Sequence, residues 1–371
     1  MMNSRKFSML IAGVLGVFIL LNIVLWQGYT KDIFYGQDAH GDLKRMGGVY
    51  VPPSQTKPVK YTTEHYEFPE VMDNLEAIQA DVLTIGDSFS NGTGGNYYQD
   101  YLCSTYGWKI LNVPSRPYNN ALQMMYSLQE TGLLAKIKPK VIILESLAAN
   151  MEERFGSDKM QIYTLSLSGL KQAQNQGKIS TKTKNEISAD KLAPGIMIKS
   201  NLEVVKTLIH HQRHPQDYRV NDKVGLLNLS QPLFSNEGWE DKLLVHLPDS
   251  NVHFSEQTIK NINNNINAAA ELCREQGIVL VFMPVANKAD VYYPYIKDVP
   301  PDWQVNKTMQ ELDALPKEYL LVNTEQILQQ SLTDGDPAAV KDLFWLDDLH
   351  FSWKAQQIIS DDLAQKLKDV L

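Results

Sequence analysis

The chain has 371 residues, 43% of them hydrophobic and 21% charged, with a formal net charge of −8. That length can bury one large domain or two smaller ones, and the composition is that of a folded chain rather than a disordered one. The negative balance, with no basic footprint and no RNA- or DNA-binding signature, excludes nucleic acid as a partner.

The first element in chain order is apolar. Residues 7–26, FSMLIAGVLGVFILLNIVLW, carry no charge. A helix rises about 1.5 Å per residue, so this stretch covers roughly 30 Å, the thickness of a bilayer's hydrocarbon core. Arg5 and Lys6 precede it, which places residues 1–6 in the cytoplasm and sends the remainder outward, with Trp26 and Tyr29 at the far interface. A cleaved signal peptide is the competing reading, but LWQGYTKD offers no small-x-small cleavage site. The expectation is therefore a signal anchor at 7–26 and a single-pass membrane protein with an extracytoplasmic domain. Residues 27–79 follow, with four prolines in YVPPSQTKPVKYTTEHYEFPE and no helical period. They read as an extended stalk or strap.

From residue 80 to 371 short apolar runs alternate with helix-like segments. DVLTIGDS, KILNVPS, KVIILESLA, IVLVFMPVA and the start of YLLVNTEQILQQ read as strands. YYQDYLCSTYG, NNALQMMYSLQETGLL, SEQTIKNINNNINAAAELCREQG and SWKAQQIISDDLAQKLKDVL read as helices, with Ser255 as an N-cap and Gly277 as a C-terminal stop. Apolar runs without polar alternation indicate a parallel sheet covered on both faces, a three-layer α/β/α sandwich. Residues 150–255 break the rhythm with a polar insertion, too long for a plain loop, read as a cap subdomain that shapes a substrate site. Cys103 and Cys273 fall in apolar helix-like segments and read as buried free thiols, with a disulfide the alternative in an oxidising compartment.

Ser88 stands where the first buried strand ends in Gly-Asp-Ser, and open α/β sheets place ligands at the carboxyl ends of their strands. A serine hydroxyl becomes nucleophilic when a neighbouring base takes its proton, and the base, commonly histidine, needs an acid to fix its tautomer. Eight histidines are available. His40 and His65 lie in the strap. His210, His211 and His214 cluster before Pro215, and His210 and His214 would share a helix face as a metal pair. With no third ligand or acidic partner in view they read as a solvated face. His246 has no local partner. Two segments put a carboxylate before His-Phe-Ser and then enter a helix: DSNVHFS, with Asp249 and His253, and DDLHFSWKA, with Asp347 and His350. The second precedes the last helix and spaces acid and base three apart, so His350 with Asp347 is the preferred pair and His253 the alternative.

GDS at the end of the first strand, with Asp-x-x-His before the C-terminal helix, resembles the SGNH/GDSL hydrolase superfamily over roughly residues 80–150 and 255–371. The resemblance implies Ser88 as nucleophile, His350 as general base and Asp347 as its orienting acid. It also implies Ser88 N–H as one oxyanion donor. No cofactor or metal is implied. The chain departs from the family at two blocks. NVPSRPYNN lacks the glycine expected after the second strand, and LESLAANMEERF lacks the Gly-x-Asn-Asp expected after the third. Arg116 and Asn150 are the substitutes proposed as oxyanion donors. Together with the anchor, these departures make the chain similar to the membrane-anchored SGNH proteins that O-acetylate exported polysaccharides, of the alginate and cell-wall-polymer type. There the Asp-His motif of the alginate enzymes precedes the serine, whereas here it follows. The implied function is extracytoplasmic O-acetyl transfer to a glycan acceptor, with a multi-pass membrane acyltransferase as acyl source. A carbohydrate esterase or general carboxylester hydrolase is one alternative, and a non-catalytic glycan-binding subunit of an export complex is another.

Overall fold

Along a strand successive side chains face opposite sides, and in this chain both sides are apolar. In the computed structural model, which describes residues 4–34, 41–91, 95–184, 194–214, 216–336 and 339–371, that pattern becomes a sheet buried on both faces. The strands in chain order are β1 (Tyr66–Glu67), β2 (Val82–Gly86), β3 (Ile110–Pro114), β4 (Val141–Leu147), β5 (Val224–Asn228), β6 (Lys242–His246), β7 (Val279–Val285) and β8 (Leu320–Leu321). Six of them form one sheet in the order β1-β3-β2-β4-β7-β8, and every pairing in it is parallel. The α/β sandwich expected from the sequence is the observed fold.

The alternation is legible residue by residue. Val82, Val141, Ile143, Val281 and Met283 point into one apolar cluster, shared with the helices Tyr98–Tyr106, Thr324–Asp334 and Trp353–Leu367. Leu83, Ile85, Ile142, Leu144, Leu280 and Phe282 point into the other, shared with Ala121–Glu130, Met151–Phe155 and Glu256–Glu275. Each fully buried aliphatic side chain contributes on the order of 1.5–3 kcal/mol, so these two layers carry the fold.

From β2 the chain crosses to β3 on one side and then to β4 on the other. The reversal leaves a crevice at the carboxyl ends of β2 and β4, the place where open α/β sheets bind ligands.

Two segments differ from expectation. The strap does not stand clear of the domain: β1 pairs in parallel with β3 as an edge strand of the main sheet, so a domain start at residue 80 cuts through the sheet. The 150–255 insertion contributes the two-stranded antiparallel hairpin β5–β6. Its Val224, Leu227, Leu243 and Val245 sit in the same cluster as one face of the sheet, so the hairpin is part of the core. Cys103 and Cys273 are buried free thiols, one in each cluster, and burial pushes each thiol up to about 12.

The N-terminal helix Ser4–Leu25 has no buried residue, and with its continuation to Phe34 it is long and apolar enough to cross a membrane. Asn201 Nδ2, on the helix Pro194–Arg213, donates to Asn22 O at 2.9 Å and to Asn22 Oδ1 at 3.0 Å, which ties the N-terminal helix to this later one.

Candidate active site

Ser88 is exposed in the turn that follows β2. Hydrogen bonds from Ser90 N and Asn91 N to Asp87 O, at 3.1 and 3.0 Å, close the turn. A glycine is required one step earlier: a Cβ on Gly86 would lie 2.2 Å from Glu145 Oε2 and 2.7 Å from Ser90 Oγ. The turn therefore packs against the β4 carboxyl group with no room for a side chain. Among the described residues Ser88 N–H makes no hydrogen bond.

His350 reaches Ser88 from 262 positions along the chain, with Nε2 2.9 Å from Ser88 Oγ. Its ring rests on Phe89, centroids 4.7 Å apart. The carboxylate on its other nitrogen is Asp348, not the Asp347 expected from the three-residue spacing. Asp348 Oδ1 lies 2.7 Å from His350 Nδ1 and accepts His350 N–H at 3.0 Å. That double contact is an Asx-type turn, in which a carboxylate binds the backbone two residues on, and it orients the ring and its partner together. Asp347 faces the other way. Its carbonyl accepts Lys44 N–H at 3.1 Å, and its carboxyl group lies against Gly41, where a Cβ would stand 2.6 Å from Asp347 Oδ2.

The environments push the two carboxyls apart. Burial and the neighbouring Asp348 charge raise Asp347 above the usual carboxylate range. For Asp348 burial acts upward, but the His350 contact outweighs it and the group is held below that range. Burial pulls His350 down, and the Asp348 carboxylate more than reverses this, leaving the imidazole above its usual value. A third carboxylate, Asp42 Oδ2 in the strap, stands 3.9 Å from His350 Nδ1.

The loop carrying these groups is held from beneath. Lys288, fully buried, donates from Nζ to the carbonyls of Trp345, Leu346 and Asp348 at 2.7, 2.8 and 3.1 Å. Burial lowers its ammonium to about 7 against the attraction of Asp347, Asp348 and Asp342. A lysine at this position has no distinguishing signal in VANKADVYY, because the carbonyls it serves are almost sixty residues away.

Asp87 of the GDS motif is engaged on its far side. Arg154 Nη1 donates to Asp87 Oδ2 at 2.6 Å and to Ser146 Oγ at 2.8 Å. Leu147 N–H donates to the same Asp87 oxygen at 3.2 Å. Glu145 Oε2 accepts Asp87 N–H and Ser90 O–H, each at 2.9 Å. Burial and the Asp87 charge raise Glu145 well above the carboxylate range, while Arg154 overcomes burial to hold Asp87 below it. Arg154 and Asp87 are the buried ion pair of this cluster, their oxygen and nitrogen 2.6 Å apart. Breaking a buried ion pair of this kind costs about 3–5 kcal/mol, mostly from the charge left behind. The third block, LESLAANMEERF, supplies a clamp on the serine turn through Glu145, Ser146 and Arg154.

The two residues put forward as oxyanion donors lie elsewhere. Arg116 is exposed in the turn after β3, and its carbonyl accepts Gln174 Nε2 at 2.6 Å. Asn150 stands at the head of the helix Met151–Phe155. Neither lines the cavity at Ser88. Asn96, from the loop after GDS, does line it; residues 92–94 of that loop lie outside the described residues, as do His40 and Pro215.

Four other histidines have polar neighbours of their own among the described residues. Asp249 pairs with His246, Oδ2 to Nδ1 at 2.7 Å, and not with His253, so His246 does have a local partner. His253 Nε2 meets Asn251 Oδ1 at 2.9 Å. His210 has Asp217 Oδ2 3.3 Å from Nε2, the acidic partner that local sequence did not suggest. His65 in the strap is buried between Asp100 and Glu67, at 2.7 and 3.0 Å. Burial opposes its protonation, yet the two carboxylates raise it to about 9.

Ser88 and His350 open into a cavity of about 790 Å³, also lined by Phe89, Tyr97, Met283 and Val285, within the range of small-molecule sites. Asp42, Asp348 and His350 offer ligand atoms within 4.8 Å of one another. A cation there would take His350 Nδ1, the nitrogen that Asp348 already holds, so this group reads as the acidic side of the histidine contact.

No family model and no curated protein matches the chain. Among solved structures it is similar to a GDSL-like lipase from Bacteroides thetaiotaomicron, with 12% identity and a TM-score of 0.36, over 82% of this chain and 98% of that one. It is also similar to a variant of an acetyl-xylooligosaccharide esterase from Geobacillus, with 11% identity and a TM-score of 0.35, over 78% and 94%. Likenesses this loose bear no argument about chemistry, and the functional case stands on the geometry above.

Proposed function

We propose that the chain is a membrane-anchored serine acyl-ester enzyme whose task is to transfer an acetyl group, through an acyl-serine, to an exported or cell-envelope polysaccharide. One observation carries the reading: the Ser88–His350–Asp348 relay, continuous at hydrogen-bond distance, at the mouth of a cavity at the switch point of the sheet. Ser88 Oγ attacks the acyl carbonyl, and His350 Nε2 takes the hydroxyl proton as the Oγ–C bond forms. The departing alcohol recovers that proton as its own C–O bond breaks. Asp348 holds the tautomer and stabilises the imidazolium. Ser88 N–H is placed to be one donor to the developing oxyanion. The acyl-serine then passes its acyl group to a sugar hydroxyl, His350 relaying the proton in reverse.

The anchor supports transfer, since it keeps the site beside a membrane-embedded acyl source, a multi-pass acyltransferase in this reading, on the extracytoplasmic side. Hydrolysis is the second reading, favoured by the solvent exposure of Ser88, which admits water to the acyl-serine. The full-length chain in detergent, given an activated acetyl donor and an oligosaccharide panel, should yield acetylated oligomer in a Ser88-dependent manner. Free acetate alone, with efficient stripping of acetylated glycans, would make it an esterase. Undiminished turnover by Ser88→Ala would overturn both readings.

A further inference from the structure

A second cavity, of about 640 Å³, adjoins the first and has no place in the chemistry above. One side is the strap, through Tyr50, Val51, Thr56 and Val59. The other is the catalytic loop and the start of the C-terminal helix, through Trp345 and Trp353. The two cavities share a wall made of Asn96, Trp345, Asp348, Phe351 and Gln356, so a chain-like ligand could run from one into the other past the relay.

Three features define what would fit. The aromatic rings of Tyr50, Trp345 and Trp353 line the cavity together with amide, hydroxyl and carboxylate groups, and Lys44 Nζ lies 5.8 Å from the Tyr50 ring centroid. The half-buried Trp345 ring has no aromatic or cationic partner among the described residues. Gln356, in the shared wall, has its Oε1 buried without a hydrogen-bond partner, and a buried acceptor left unpaired costs about 1–3 kcal/mol. Aromatic planes beside polar edges match a pyranose ring, which presents an apolar C–H face and a rim of hydroxyl donors. A lipid tail would leave the edges unpaired, and a highly charged polyanion would meet Asp32, Asp347 and Asp348 with Lys44 as the one cation among the lining residues.

The strap is built in as a wall rather than draped there. Trp353 Nε1 donates to Lys57 O at 2.9 Å, Ser54 Oγ and Ser235 Oγ lie 2.9 Å apart, and Thr56 Oγ1 donates to Asp342 Oδ2 at 2.5 Å. Asp32, in the helical continuation of the N-terminal apolar helix, lines the same cavity.

We propose that this strap-walled cavity is the subsite for a neutral oligosaccharide, with Trp345 as its stacking platform and Gln356 as a hydroxyl acceptor, holding the glycan so that one sugar hydroxyl or ester reaches Ser88. The proposal rests on the reading of Ser88 as nucleophile only for its role and not for binding, and the test separates the two. Full-length Ser88→Ala protein in detergent is titrated calorimetrically with deacetylated xylo-, manno-, gluco- and chito-oligomers of two to six sugars. At least one series should bind saturably and tighten with length up to three or four units. In that background Trp345→Ala and Gln356→Ala should each weaken binding about tenfold or more. Tyr50→Ala, on the strap side of the cavity, should weaken it several-fold, and an unchanged Tm in all three variants guards against a disturbed loop. No saturable binding across the panel, or binding unchanged by all three substitutions, overturns the subsite. If oligomers bind as expected but wild-type protein shows no Ser88-dependent ester turnover, the catalytic reading fails and the subsite stands.

Discussion

Asp348 Oδ1 contacts His350 twice, at 2.7 Å to the ring Nδ1 and at 3.0 Å to the backbone N–H. The acid therefore sets both the tautomer and the turn that presents the ring to Ser88. Ser88→Ala and His350→Ala are each expected to remove roughly 10³-fold or more of ester turnover with the fold intact, and the two losses should not add in the double variant. Asp348→Asn should cost on the order of 10²-fold or more, because an amide cannot stabilise the imidazolium. Asp347→Asn should cost under about tenfold. Steady-state kinetics on a chromogenic acetyl ester decide it, and a larger loss at Asp347 than at Asp348 would refute the assignment.

The same contact sets the acid limb of the pH profile. His350 must be neutral to accept the Ser88 proton, and its folded value lies above the usual histidine value. Turnover per enzyme and substrate should therefore fall as pH drops through a point above 6.5. Asp348→Asn removes the main upward influence while burial remains, so its residual activity should show the limb displaced to lower pH. A limb that stays in place in the variant would mean that another group controls it.

Lys288 is expected to position the loop rather than touch substrate. Lys288→Met leaves three carbonyls, those of Trp345, Leu346 and Asp348, without their donor. The expected loss is about 2–4 kcal/mol of stability, read as a lower Tm. The distinguishing readout is kcat, which should fall further than KM rises. A lowered Tm with an unchanged kcat would make Lys288 a stability residue alone.

His65 links stability to pH independently of catalysis. Its folded value is raised to about 9 by Asp100 and Glu67, so its contribution is full below the unfolded value near 6.5 and is lost as pH rises through about 9. A shift of that size corresponds to at most about 3 kcal/mol. The difference in unfolding free energy between wild type and His65→Asn should be largest near pH 6 and shrink towards pH 9.5, other groups cancelling in the comparison. A constant difference would show that His65 does not titrate between those limits.

Periodicity by itself determined a good deal. Twenty uncharged residues specify a helix of membrane-spanning length, whatever it packs on. Unbroken apolar runs such as Val82–Ile85 require cover on both faces, and the helices between them supply it, so the layered parallel sheet follows from the chain. Gly-Asp-Ser at a strand end and a histidine before the last helix were visible as a pair, because each stands at an element boundary. The partner of that histidine was not visible. Asp347 and Asp348 are adjacent, and the choice between them depends on Lys44 and Gly41, which draw Asp347 towards the strap from some three hundred residues away. Lys288, Arg154, His65 and the edge strand Tyr66–Glu67 were hidden for the same reason. Their partners are carbonyls, carboxylates and a strand edge that only folding brings near, and a side chain that serves a distant segment leaves no period in its own. Spacing along the chain reports on groups within a turn or two, whereas a buried polar group is satisfied by whatever the tertiary structure places within about 3 Å.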